Sequence, residues 1–121
     1  MDFKFEKLRI WQNSMVFGEM VFEMSKAFPK EELFSLTSQI RRAVDSIALN
    51  IEEGATGNSQ AEFKKFVGYS LRSLAEVVTC LHKAKLRGYI KEESFQNSYK
   101  QAFDLMNSIA AFRNTLVSTT K

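Results

Sequence analysis

With 121 residues, 45% hydrophobic and 26% charged, the chain has the size and balance of one globular domain with a proper core. No apolar run approaches the roughly 20 residues that span a bilayer. The single Cys80 excludes an intrachain disulfide, and the opening MDFKFEKLRIW mixes acids and bases too freely for a signal peptide. The expected location is the cytoplasm, and a net charge of +3 permits nucleic acid as a partner without requiring it.

Residues 1–6, with Phe3 and Phe5 alternating with charges, read as an extended arm. A first helix is predicted at about 7–28. Its apolar rows are Leu8, Trp11, Met15, Phe22 and Ile10, Phe17, Val21, Met24, Phe28. Together they cover about 200° of the circumference, twice the stripe a surface helix needs. Val16 and Met20 carry that cover into the polar side and are the predicted self-association surface.

Pro29 in AFPKEE ends this segment, and a second helix is predicted at about 33–53. Ile40, Val44, Ile47 and Ile51 form its buried stripe. Beside them Gln39, Arg42, Ser46, Asn50 and Glu53 fall within about 80° of one another. Such a row serves either as a hydrogen-bond ladder fixing helix register or as a ligand site, and the first reading is preferred.

The loop GATGNS leads to a third helix at about 59–87, opened by a Ser59/Glu62 capping box. Its core row is Phe63, Val67, Ser70, Leu74, Val77, Leu81 and Ala84. Gly88 closes it behind Lys83, Lys85 and Arg87, which suit the negative end of the helix dipole. A fourth helix at about 91–118 turns Phe95, Tyr99, Ala102, Met106, Ile109 and Leu116 inward, with Arg113 seeking a carboxylate or the bundle end. Gly18 and Gly68, inside periodic stretches, mark expected close approaches of helices. Four helices joined by short connections give an all-α, antiparallel up-down-up-down four-helix bundle over residues 1–121.

Catalytic chemistry has little to stand on. The only histidine, His82, sits on a charged turn and reads as a solvated surface residue, while Cys80 reads as a small buried hydrophobe. One Cys and one His cannot close a metal site, and no carboxylate-x-x-His pair, phosphate loop or dinucleotide fingerprint occurs. No catalytic residue, metal or cofactor is expected. Lys65, Arg72, Lys83 and Arg87 share one outward face of the third helix, with Lys64 to one side and Glu76 within the row. These five cations could track a phosphate backbone without reading bases.

Several motifs occur in a fixed order. Leu8-x-x-Trp11 precedes Phe28-Pro29 with Glu32 and Leu36. Then come Gln39-x-Arg41-Arg42-Ala43, Ser46-Ile47-x-x-Asn50-Ile51-x-Glu53-Gly54, Glu62-Phe63-x-x-Phe66, Ser73-Leu74-x-Glu76 and Gly88-Tyr89-Ile90. Over residues 5 to about 90 this resembles the bacterial four-helix-bundle family of 23S rRNA intervening-sequence proteins. A related branch is the accessory variability determinant of diversity-generating retroelements, a basic pentameric barrel that binds nucleic acid and a reverse transcriptase. The resemblance implies a homopentamer, an RNA- or DNA-linked role, and motif positions at Arg41, Arg42, Ser46, Asn50, Glu53 and Glu76. The leading expectation is a non-enzymatic, homo-oligomeric scaffold for nucleic acid. The alternative is a protein-interaction module that binds another helix or an enzyme, such as a reverse transcriptase, through its first helix.

Overall fold

The computed structural model describes residues 1–117 and shows four helices: α1 Arg9–Ser25, α2 Leu36–Ala55, α3 Gln60–Leu86 and α4 Glu92–Asn114. No strand occurs among the described residues. The helices form a bundle in which α2 pairs most extensively with α3, α1 lies on α2, and α4 packs on α3 and more lightly on α1. At its centre Ile40, Ile47 and Ile51 of α2 meet Leu74, Val77 and Leu81 of α3, with Val21 and Ile109 completing a dry core. Among the described residues no helix is long and apolar enough to cross a membrane.

Polar side chains tie the inner helices together. The buried Ser70 hydroxyl donates to the Ile47 carbonyl at 2.8 Å. Between α2 and α1, Arg41 Nε donates to Ser25 Oγ at 2.7 Å, and its guanidinium lies 4.5 Å from the Phe22 ring centre. At the C-terminus of α3 the Tyr89 amide donates to the Ala84 carbonyl and the Gly88 amide to the Lys85 carbonyl. This double closure needs a left-handed residue, and Gly88 supplies it at φ 77°.

The ends of the helices depart from the periodicity. Residues 4–7 are not an extended arm but a 3-10 turn, in which Phe5 folds back to within 5.2 Å of Trp11 and lies half-buried on its own bundle. The first helix stops at Ser25, and Lys30–Glu32 form a separate 3-10 turn that delays α2 to Leu36. At the start of α3 only half of the capping box forms: Ser59 Oγ accepts the Glu62 amide at 3.1 Å. The Glu62 carboxylate instead lies over Gly57, where a Cβ would collide with it. α4 ends at Asn114, and the expected end at 118 lies outside the described residues. Its buried stripe is Phe95, Ser98, Ala102, Leu105 and Ile109, with Tyr99 and Met106 at the margin. The stripe is rotated because α4 also faces α1, where Ser98 Oγ reaches the Met24 sulfur at 3.5 Å.

Candidate nucleic-acid interface

The five expected phosphate contacts have different surroundings. Arg87 is held by Glu32, with Nη1 2.9 Å from the carboxylate. Glu76 accepts from Gln39 Nε2 at 3.4 Å, so the acid inside the row is spoken for by α2. Lys83 is exposed, forms no ion pair among the described residues, and stands about 27 Å along α3 from Lys65. Lys65 and Arg72, by contrast, open onto a hollow of about 450 Å³ between α3 and α4.

Arg113, from the end of α4, joins them there. It finds no carboxylate: its Nε donates to the Lys64 backbone carbonyl at 3.2 Å. Gly68 makes this possible, since a Cβ at that position would sit 3.3 Å from Arg113 Nε and 3.6 Å from an Nη. Arg113 is therefore half-buried beside Gly68, and the Lys64 side chain is half-buried too. Tyr69 lines the same hollow, and Lys65 Nζ lies 5.9 Å from its ring centre. Three cations from two helices thus converge in a hollow whose lining contains no acid.

None of the three forms an ion pair among the described residues. A guanidinium held through Nε on a carbonyl still has its terminal N–H donors, the kind of group that pairs with an oxyanion. Sequence reasoning put Lys65 and Arg72 on one outward face of the third helix and named neither Arg113 nor Tyr69 beside them. The signals for Arg113 were its inward place on the fourth helix, read as seeking a carboxylate or the bundle end, and Gly68, read as a helix contact rather than a seat for a side chain.

The polar row of α2 is partly a ladder. Gln39 reaches Glu76, the Ser46 and Ser73 hydroxyls share a hydrogen bond at 2.6 Å, and Asn50 Nδ2 donates to the Ser46 carbonyl at 2.8 Å. Arg42 and Glu53 are exposed and join no ion pair among the described residues. His82 is exposed and leans edge-on against Phe95, 5.0 Å between ring centres. Cys80 is fully buried, and burial raises its thiol above the ordinary range, which leaves it unreactive. Among the described residues no cluster of His, Cys, Asp or Glu is placed to hold a metal.

The two residues of the expected association surface part company. Val16 is 70% exposed, while Met20 is half-buried against α4, its sulfur 3.9 Å from Asn97 Nδ2. Val16 therefore stands alone on that side, among Asn13, Gln101 and Asp104.

A family model described as 23S rRNA-intervening sequence protein matches residues 6–111. The fold is similar to a crystal structure of a protein with unknown function from the S23 ribosomal protein family of Bacteroides thetaiotaomicron. The TM-score is 0.79 at 20% identity, over 86% of this chain and 97% of that one. No curated protein matches the chain. With a family model covering nearly all of the bundle, from the turn before α1 to the last turns of α4, the chain belongs to the 23S rRNA-intervening sequence protein family.

Proposed function

We propose that the chain is a non-enzymatic, self-associating helical scaffold that holds the phosphate backbone of RNA or DNA in the α3–α4 hollow. The observation that carries this reading is the acid-free convergence of Lys65, Arg72 and Arg113, with Arg113 pinned on a carbonyl. Three cations, one of them pinned, neutralise phosphates without reading bases, so binding is sequence-tolerant. Lys83 extends the field along α3, and Lys64 flanks it. Repetition of the hollow around a homo-oligomer, a pentamer as in the related barrel, multiplies a field that one copy with net charge +3 supplies only weakly.

The test is a gel-shift series with single-stranded RNA and DNA across salt. Binding should weaken steeply from low to physiological salt, and replacing both Lys65 and Arg72 with Gln should flatten the log–log slope by about two, one per lost phosphate contact. A slope indifferent to the double substitution would remove the hollow from the reading. Self-association is tested separately by light scattering: Val16→Glu should lower the particle mass at a fixed concentration. An unchanged mass would move the contact away from this side of α1.

A further inference from the structure

The opposite side of the bundle carries a different opening. Between α1 and α2, Trp11, Met15 and Leu49, with Phe3 from the N-terminal turn, line an apolar hollow of about 580 Å³. Phe3, Met15 and Leu49 are 70%, 45% and 61% exposed. Scattered exposed apolar residues are ordinary on a small bundle, but a contiguous lining of them marks a docking surface. The charged residues of this lining are Asp45 and Glu52, with no lysine or arginine. Asp45 and Glu52 form no ion pair among the described residues, and the Glu52 carboxylate receives only the Thr56 hydroxyl at 3.4 Å. A chain of net charge +3 thus presents here an apolar groove whose charged lining residues are both acidic.

Spacing sets the shape of what fits. Asp45, Leu49, Glu52 and Thr56 follow one another four, three and four residues apart, so they run down one face of α2 for about 16 Å, or three turns. The groove is bounded by two helices and offers no strand edge, so an extended peptide would leave its backbone groups unpaired there. A helix brings its backbone already satisfied and asks only for apolar burial and charge pairing at the flanks. A second copy applied groove to groove about a two-fold axis would set Asp45 and Glu52 against their own like charges, and a ring of copies, which has no such axis, would have to bring a different, basic face to the groove.

We propose that the α1–α2 groove receives an amphipathic helix of another protein. The helix is about three turns long, with apolar residues at i, i+4 and i+7 and lysine or arginine on its flanks. This surface lies apart from the α3–α4 hollow and stands whether or not that hollow binds nucleic acid.

The chain supplies its own reporter, because its one tryptophan, Trp11, lines the groove. The probe is a synthetic tryptophan-free helix with leucines at those positions and lysines elsewhere; the comparison helix carries glutamates in place of the lysines. Titration of the intact protein with the lysine helix should shift Trp11 emission to shorter wavelength and saturate, and the glutamate helix should bind at least about tenfold more weakly. Leu49→Ser, at an exposed position that tolerates a polar side chain, should weaken the lysine helix by about tenfold. Asp45→Lys combined with Glu52→Lys should invert the preference between the two helices, which no loss of folding could mimic. Equal binding of both helices, or binding indifferent to Leu49→Ser, overturns the proposal. So does an emission shift of the protein alone that grows with its own concentration and vanishes in Leu49→Ser, which would assign the groove to a second copy.

Discussion

Replacing Gly54 with Ala is expected to lower stability by about 2 kcal/mol, roughly 8 °C in melting temperature for a chain of this size. Replacing Gly18 with Ala should raise stability by about 0.5–1 kcal/mol. Both glycines lie inside helices, where alanine is intrinsically favoured by up to about 1 kcal/mol. Their surroundings decide the sign. A Cβ on Gly54 would lie 2.8 Å from Phe63 Cδ1, 3.0 Å from Phe66 Cβ and 3.2 Å from the Phe63 carbonyl oxygen. Two of those three atoms belong to the rigid body of α3, and the Phe63 ring is itself packed 5.4 Å from Phe112. Relief therefore requires α2 and α3 to part, at a cost that exceeds the propensity gain. A Cβ on Gly18 meets nothing within 4 Å. Thermal melts at one fixed protein concentration check both signs. A Gly54→Ala protein as stable as the parent would mean that the α2–α3 contact is loose.

These two glycines also mark what a single sequence can disclose. The four helices were legible because Ile40, Ile47, Ile51 and Leu74, Val77, Leu81 repeat at helical spacing, and burial follows that spacing directly. Gly18, Gly54 and Gly68 carry no such signal: one has open space, one touches a helix, and one seats the Arg113 side chain. Which of these applies depends on neighbours that meet only in the fold. The N-terminal turn was illegible for the same reason, since Phe3 and Phe5 alternating with charges read as extended until Trp11 provides a surface for Phe5. In the basic row, charges and spacing were plain, but the partners were not. Nothing local to Arg87 reveals that Glu32, far away in the chain, pairs with it.

That distant contact yields the other large expected effect. Glu32→Gln should lower the urea midpoint at pH 7, and the gap to the parent should close as pH falls from about 4.5 to about 2. The Glu32 carboxylate accepts Ser35 Oγ at 2.6 Å, Tyr89 Oη at 2.7 Å, Arg87 Nη1 at 2.9 Å and the Leu36 amide at 3.3 Å. Its side chain is only 13% exposed, so water competes little for these bonds. The Ser35 bond foremost, then the Tyr89 bond, hold its pKa at about 2, from an ordinary 4.5. The folded carboxyl is the stronger acid, so the unfolded chain takes up the proton first. Its contribution is therefore complete above about pH 4.5 and lost on descent toward 2. Glutamine accepts fewer bonds and carries no charge for Arg87, and having nothing to titrate it lacks this acid limb. The Glu32 bond also raises the Tyr89 hydroxyl above its usual value of 10.0. The folded state holds that proton more tightly, so stability should fall again as pH rises beyond about 10, and Tyr89→Phe should abolish this alkaline limb. A gap between parent and Glu32→Gln that stays constant from pH 7 to pH 2.5 would mean that the carboxyl titrates normally. The clasp between the turn before α2 and the end of α3 would then contribute nothing through its charge.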